Sequence, residues 1–239
     1  MTFSNIPPGV CLWRDRPALT ALAALVICSA LHLIAMKTNR EALRRWTKAL
    51  LVPLIAAAHI AICGTARPFV LAALLLGWIG DLLLIPGIRR RTLFTMGALA
   101  FLLGHGCYIA AAFAAHWPQL AFGSFSPAVF AAFAAGFALL PALAYTSLRK
   151  KLKKKERPMI LVYMTGIACM AYFMVVSAAG DPVFPKLLAA AGALLFTASD
   201  CILAGSLSGV IKGRGRSLAV MLTYIPAQAL IALGFALSA

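Results

Sequence analysis

The sequence is short of negative charge and of polar stretches. Six Asp and Glu stand against 22 Lys and Arg in 239 residues, and charged residues are 12% of the chain while apolar residues are 63%. A mean hydropathy of +0.94 excludes a water-soluble domain of this size. No polar segment is long enough to fold separately, so residues 1–239 are read as one integral membrane domain. The six cysteines (Cys11, Cys28, Cys63, Cys107, Cys169 and Cys201) lack paired spacing, so neither a disulfide framework nor a zinc site follows. All but Cys11 lie in apolar spans, where buried thiols pack as small hydrophobes. A Gly-x-Ser-x-Gly elbow is missing, and His105 has no nucleophile at helical spacing, which disfavours serine or cysteine hydrolysis.

What is present is a series of eight apolar blocks, each about as long as a bilayer is thick: 17–36, 49–66, 69–86, 93–115, 127–148, 159–178, 187–207 and 218–237. Alanine dominates them and β-branched residues are sparse, so helices are favoured over a barrel. The predicted fold is an all-α polytopic bundle of eight transmembrane helices. Spans two and three are joined only by Arg67 and Pro68, which requires a tight helical hairpin. Arg14 and Arg16 precede the first apolar run in the manner of a signal peptide. That run is too long for an ordinary signal core and lacks a small-residue cleavage site, so it is kept as helix one.

A formal charge of +16 would suggest a nucleic-acid partner in a soluble protein, but the basic residues sit between the apolar blocks. The loops after spans one, three, five and seven hold five, three, seven and three Lys and Arg, and the rest of the chain outside the spans holds four. Lys and Arg of short loops stay on the cytoplasmic side, so both termini are expected outside and the basic loops inside, against anionic lipid headgroups. The basic run 149–157 is read as such a topology signal, not as a DNA site. The asymmetry suits a bacterial inner membrane.

Asp15, Glu41, Glu156 and Asp181 lie in tails or loops as ordinary solvated charges. Asp81 and Asp200 lie inside spans three and seven. An ionised Asp near a helix centre costs roughly 2.5 to 3.5 kcal/mol on insertion scales, so each must face a polar cavity, the other or a basic partner. Their neighbours in adjacent spans are polar too: His105 and Tyr108 are three apart in span four, and Tyr224 and Gln228 four apart in span eight, so each pair shares a helix face. Counted from the nearest inside basic residue, Asp81, Asp200 and His105 lie about 12, 18 and 21 Å deep, and Tyr224 and Gln228 about 12 and 18 Å. All five therefore occupy one layer, from the inner half of the bilayer to its midplane.

An internal repeat brings them together. Each Asp-bearing helix is followed by a short basic loop and then a helix with a polar pair, so spans one to four are expected to repeat as spans five to eight. Two four-span units have the same orientation and are related by an axis along the membrane normal. Gly77, Gly80, Gly97, Gly104, Gly106, Gly136, Gly166 and Gly192 would let helices approach closely. Pro53, Pro141 and Pro226 open backbone inside spans. Lys48, at the inside face of span two, either snorkels to the headgroups or holds an Asp or a phosphate.

Taken together, Gly80-Asp81, Phe101-Leu-Leu-Gly-His105-Gly-Cys-Tyr108, Gly192-Ala-Leu-Leu-Phe-Thr-Ala-Ser-Asp200 and Tyr224-Ile-Pro-Ala-Gln228 resemble the YhhN family of lysoplasmalogenases, over spans two to eight. The chain departs from the Lys-Pro pair that this family tends to carry at the start of span two: Lys48 is followed by Ala49, with Pro53 later. The resemblance implies hydrolysis of the vinyl ether bond of a lysoplasmalogen to a fatty aldehyde and a glycerophospho-headgroup, with no metal or organic cofactor.

The residues suit that chemistry. A vinyl ether resists base but opens in acid, because a proton on the alkene carbon remote from its oxygen leaves an oxocarbenium ion that water captures. Two carboxylates in a low-dielectric site can divide the work, one giving the proton and the other, ionised, stabilising the cation. Asp81 and Asp200 are the candidate pair. His105, Tyr108, Tyr224 and Gln228 would orient water or glycerol oxygens, and inside basic residues would hold the phosphate of a lysophospholipid. A proton-coupled carrier of a small amphiphile, or a non-catalytic lipid-binding protein, would also carry buried acids. Oligomeric state and headgroup preference are left open.

Overall fold

Each apolar block forms one helix in the computed structural model, which describes residues 16–65, 67–85, 91–118, 125–149, 154, 157–207, 209–212 and 215–238. The helices are α1 (Arg16–Lys37), α2 (Glu41–Cys63), α3 (Pro68–Leu84), α4 (Arg91–Ala114), α5 (Pro127–Leu148), α6 (Arg157–Gly180), α7 (Phe184–Leu207) and α8 (Arg216–Leu237). Among the described residues there is no strand. Seven helices are long and apolar enough to cross a membrane, and α3, at 17 residues, is a shorter apolar helix. Most of the basic run 149–157, residues 86–90 of the loop after span three, Cys11, Asp15 and Glu156 fall outside the described residues.

Helix α2 begins eight residues before its apolar block. Residues 41–48 read Glu-Ala-Leu-Arg-Arg-Trp-Thr-Lys, mostly good helix formers, and Arg44 pairs with Glu41 at 2.6 Å, so the helix runs on past the apolar core. Lys48 thus sits two turns inside a helix rather than at its mouth. The other end of α2 stops at Gly64, whose φ of +66° closes the helix through its N–H on the Ile60 carbonyl, 3.0 Å away. Pro68 then opens α3, where a missing N–H costs nothing. The turn of this hairpin is therefore Gly64 to Arg67, longer than the two residues the apolar pattern leaves.

The packing of the first four helices recurs in the last four. α1 packs on α2 as α5 packs on α6, α2 on α3 as α6 on α7, and α3 on α4 as α7 on α8. The halves meet through α4 against α6 and α8 against α2, which is the same contact when the halves are exchanged. Lesser contacts of α8 with α1 and α3, and of α5 with α7, have no counterpart. The spacing of the key residues repeats as well: 24 residues separate Asp81 from His105, and 24 separate Asp200 from Tyr224. This is the arrangement that a 4+4 repeat of like-oriented units requires.

Close approach depends on small residues. A Cβ on Gly192 would lie 2.8 Å from the Ala227 carbonyl oxygen of α8, and one on Gly80 would lie 2.6 Å from the Phe101 ring of α4. Gly106 and Gly136 are different, since nothing lies within 4 Å of a Cβ there. His59 of α2 donates from Nδ1 to the Ala232 carbonyl of α8 at 2.9 Å, tying the halves together. Large apolar side chains such as Val26, Leu103 and Leu143 are more than 60% exposed and cover the outside of the bundle, as lipid-facing positions do. Two expectations need correcting. Cys28 is the only buried cysteine among the five described, and Cys169 is exposed. Asp181 is not a free solvated charge, because it accepts from Lys186 Nζ at 2.8 Å, and Lys186 is 3% exposed.

Candidate functional site

Asp81 is 2% exposed, in the last turn of α3. Lys48 Nζ stands 3.3 Å from its Oδ1, and the Tyr224 hydroxyl of α8 donates to its Oδ2 at 2.7 Å. The position of Lys48 follows from Pro53. Proline has no N–H for the Ala49 carbonyl one turn earlier, and Trp78 of α3 donates Nε1 to that carbonyl at 2.8 Å. The freed carbonyl thus becomes the bond that locks α2 to α3, one residue from Lys48 and three from Asp81.

Behind Tyr224 runs a chain of polar groups. Gln228, one turn further along α8, approaches the Tyr224 oxygen with Nε2 at 3.4 Å, and Tyr108 of α4 donates to Gln228 Oε1 at 2.6 Å. Tyr108, Tyr224 and Gln228 are all at least 95% buried. Every member has a partner, so the chain fixes the rotamer of each and aims the Tyr224 hydroxyl at Asp81.

Asp200, 7% exposed on α7, has a different environment: its Oδ2 accepts from the Tyr163 hydroxyl of α6 at 2.6 Å, and no cation pairs with it among the described residues. Tyr224, which donates to Asp81, packs on Phe196 of α7, the helix that carries Asp200, so the surroundings of the two carboxylates adjoin. Phe101 and Phe196 pack between the groups, with the Tyr224 ring 6.1 and 5.5 Å from theirs. His105 packs edge-on to Phe196 at 4.8 Å and lies 6.0 Å from the Tyr163 ring. It is 2% exposed, and neither ring nitrogen has a hydrogen-bond partner among the described residues. A buried imidazole with both nitrogens bare is costly unless something else occupies the space beside it.

The seven residues singled out from sequence thus fall into two adjoining groups. Lys48, Asp81, Tyr108, Tyr224 and Gln228 form one bonded network, and Asp200 and His105 stand in the other with Tyr163. Sequence reasoning missed Tyr163, because a tyrosine six residues into a span beside a basic loop reads as an interfacial anchor. The repeat could have found it. α6 occupies the place of α2, so a partner for Asp200 was owed there just as Lys48 serves Asp81. Phe101 and Phe196 were missed because phenylalanine in an apolar span carries no signal of its own.

Among the described residues no group of three or more His, Cys, Asp or Glu is placed to hold a metal ion. What the cluster can do is hold one carboxylate ionised beside a cation and another beside a neutral donor, in a setting from which water is largely excluded. No curated protein and no solved structure matches the chain significantly. A family model described as the YhhN family matches residues 43–235, which takes in α3 to α7 whole and every residue of the cluster, and the chain belongs to that family.

Proposed function

We propose that this protein is a membrane-embedded hydrolase that opens the vinyl ether bond of a lysoplasmalogen, releasing a fatty aldehyde and a glycerophospho-headgroup. The observation that carries the reading is the unequal company of two buried carboxylates: among the described residues Asp81 has Lys48 at 3.3 Å and Asp200 has only the Tyr163 hydroxyl. Asp81 is then the ionised member, and Asp200 carries the proton. Tyr163 donates to Asp200 Oδ2 and leaves Oδ1 to bear and deliver that proton.

The reaction runs in three steps. Asp200 gives its proton to the alkene carbon remote from the ether oxygen, and the electron pair of the double bond forms the new C–H bond. The oxocarbenium ion left behind is stabilised by the Asp81 carboxylate, in a low-dielectric site where such an interaction counts for more than in water. Water adds to the cation and returns a proton to Asp200, and the hemiacetal breaks its C–O bond to give the aldehyde and the glycerol hydroxyl. His105, with both nitrogens bare beside Tyr163, is the group placed to hold that water. The Lys and Arg asymmetry supports a bacterial inner membrane, with both termini outside and the basic loops in the cytoplasm.

The test is aldehyde release from an alkenyl lysophospholipid by purified wild type, Asp81→Asn and Asp200→Asn, with the saturated ether analogue alongside. The reading expects cleavage of the alkenyl form alone, and a loss of about 10² to 10⁴ in rate for Asp200→Asn. Near-normal turnover by both variants rules it out.

A further inference from the structure

Two cavities open on the outer surface of the bundle. The larger, about 480 Å³, lies between α5 and α7 and has only apolar lining residues, among them Phe133, Phe137 and Leu194. The smaller, about 280 Å³, lies between α4 and α6, where Ala98, Leu99 and Leu102 face Met159, Val162 and Tyr163. Its rim is set at lipid-facing positions, Leu99 being 48% and Val162 56% exposed. One of its walls is Tyr163, whose hydroxyl donates to Asp200. The α4/α6 cleft therefore shares a residue with the cluster, whereas the lining of the larger cavity includes none.

Two buried polar groups that lack a hydrogen-bond partner among the described residues stand beside this cleft. One is Nε of Arg157, the first residue of α6. Pro158, the next residue, lines the cleft. The other is His105, 2% exposed and bare at both nitrogens, three residues after Leu102 on α4 and with its ring 6.0 Å from that of Tyr163. Arg157 and Tyr163 are separated by six residues, about 9 Å along the helix, comparable with a glycerol backbone and its phosphate. A guanidinium beside the trough, apolar walls open to the bilayer and hydrogen-bonding groups at and behind its Tyr163 wall are the complement of an anionic single-chain lipid. The volume is too small for two chains.

We propose that the α4/α6 cleft is the lateral binding site for a lysophospholipid, with its phosphate on Arg157, its chain against Ala98, Leu99 and Val162, and its glycerol end at Tyr163 and His105. In naming a lysophospholipid the proposal rests on the hydrolase reading above. Gly166 holds the cleft open, because a Cβ there would collide with Leu102 Cδ1 and turn that side chain into the trough.

The experiment uses a saturated-ether lysophosphoethanolamine with a photoreactive group at mid-chain, which the proposed chemistry cannot cleave, and full-length protein in proteoliposomes. Labelling is expected on residues 98–102 and 159–163. It should fall at least about five-fold in Val162→Trp, Arg157→Gln and Gly166→Ala, and persist in Leu103→Trp, which faces lipid beside the cleft. Labelling centred on α5 and α7, or equal labelling of the cleft by a two-chain probe, overturns the site. Cleft labelling without aldehyde release from the alkenyl lipid leaves the site standing and removes the hydrolase. Aldehyde release that Val162→Trp and Arg157→Gln do not alter does the reverse.

Discussion

The Lys48 ammonium lies 3.3 Å from Asp81 Oδ1, held there by a helix that starts well before its apolar block. In the other half of the bundle the equivalent helix offers Asp200 a tyrosine hydroxyl at 2.6 Å. One architecture, used twice, thus surrounds two like carboxylates with unlike partners. In the proposed reaction, that difference divides the acid from its counter-charge.

Replacing Lys48 by Met leaves Asp81 without its cation, so it takes up a proton and loses its counter-charge role. Aldehyde release should fall about 100-fold, equivalent to about 2.7 kcal/mol in barrier. Breaking a buried pair from one side costs about 3–5 kcal/mol of stability, discounted here because the Lys48 side chain is 18% exposed. Thermal unfolding in detergent should show Lys48→Met less stable than the Lys48→Met/Asp81→Asn double variant, with aldehyde release from the double variant no higher than from Lys48→Met. Equal activity in wild type and Lys48→Met contradicts the assignment.

Tyr163→Phe removes one hydroxyl and no packing volume. Asp200 then lacks the donor that orients its carboxyl group, and kcat should drop about ten-fold for a lost hydrogen bond of about 1–1.5 kcal/mol. Steady-state kinetics on the alkenyl lysolipid check this. An unchanged kcat shows that the Tyr163 hydroxyl has no part in the reaction.

Trp78→Phe leaves the Ala49 carbonyl unpaired inside the bundle. The expected loss is about 1–3 kcal/mol. It should appear as a lower Tm together with reduced turnover, since the same bond sets the position of Lys48. A lower Tm with full turnover separates the two effects and refutes the link to Lys48.

Gly192→Val forces α7 away from α8, because its first side-chain carbon already meets the Ala227 carbonyl oxygen at 2.8 Å. The expected cost is about 1–3 kcal/mol, or a Tm lower by about 2–4 °C for each kcal/mol in a chain of this size. Gly106→Ala, with open space around it, should melt like wild type. Thermal scans of the three proteins decide it.

Much of this arrangement could be read in the residues, because the bilayer makes the reading simple. Apolar length marks the helices, and an acid inside an apolar run is too costly to be accidental. The four-residue spacing of Tyr224 and Gln228 does put both on one face, where they touch. Rotation about each helix axis could not be read. His105 and Tyr108 lie three apart, yet Tyr108 bonds toward α8 while His105 packs against α6 and α7. The start of α2 was hidden because hydropathy sees the membrane-facing part of a helix and not its polar extension. The partner of Asp200 was hidden because one tyrosine hydroxyl carries no charge.

The most direct measurement of the central claim is the mass of the fatty aldehyde formed from the alkenyl lysolipid in D₂O, trapped by reduction to the alcohol as it forms. Protonation of carbon by Asp200 predicts one solvent deuterium on the carbon next to the former aldehyde carbon, at a rate that Asp200→Asn abolishes. Aldehyde without that deuterium, or the same deuterated product at the same rate from Asp200→Asn, contradicts the account.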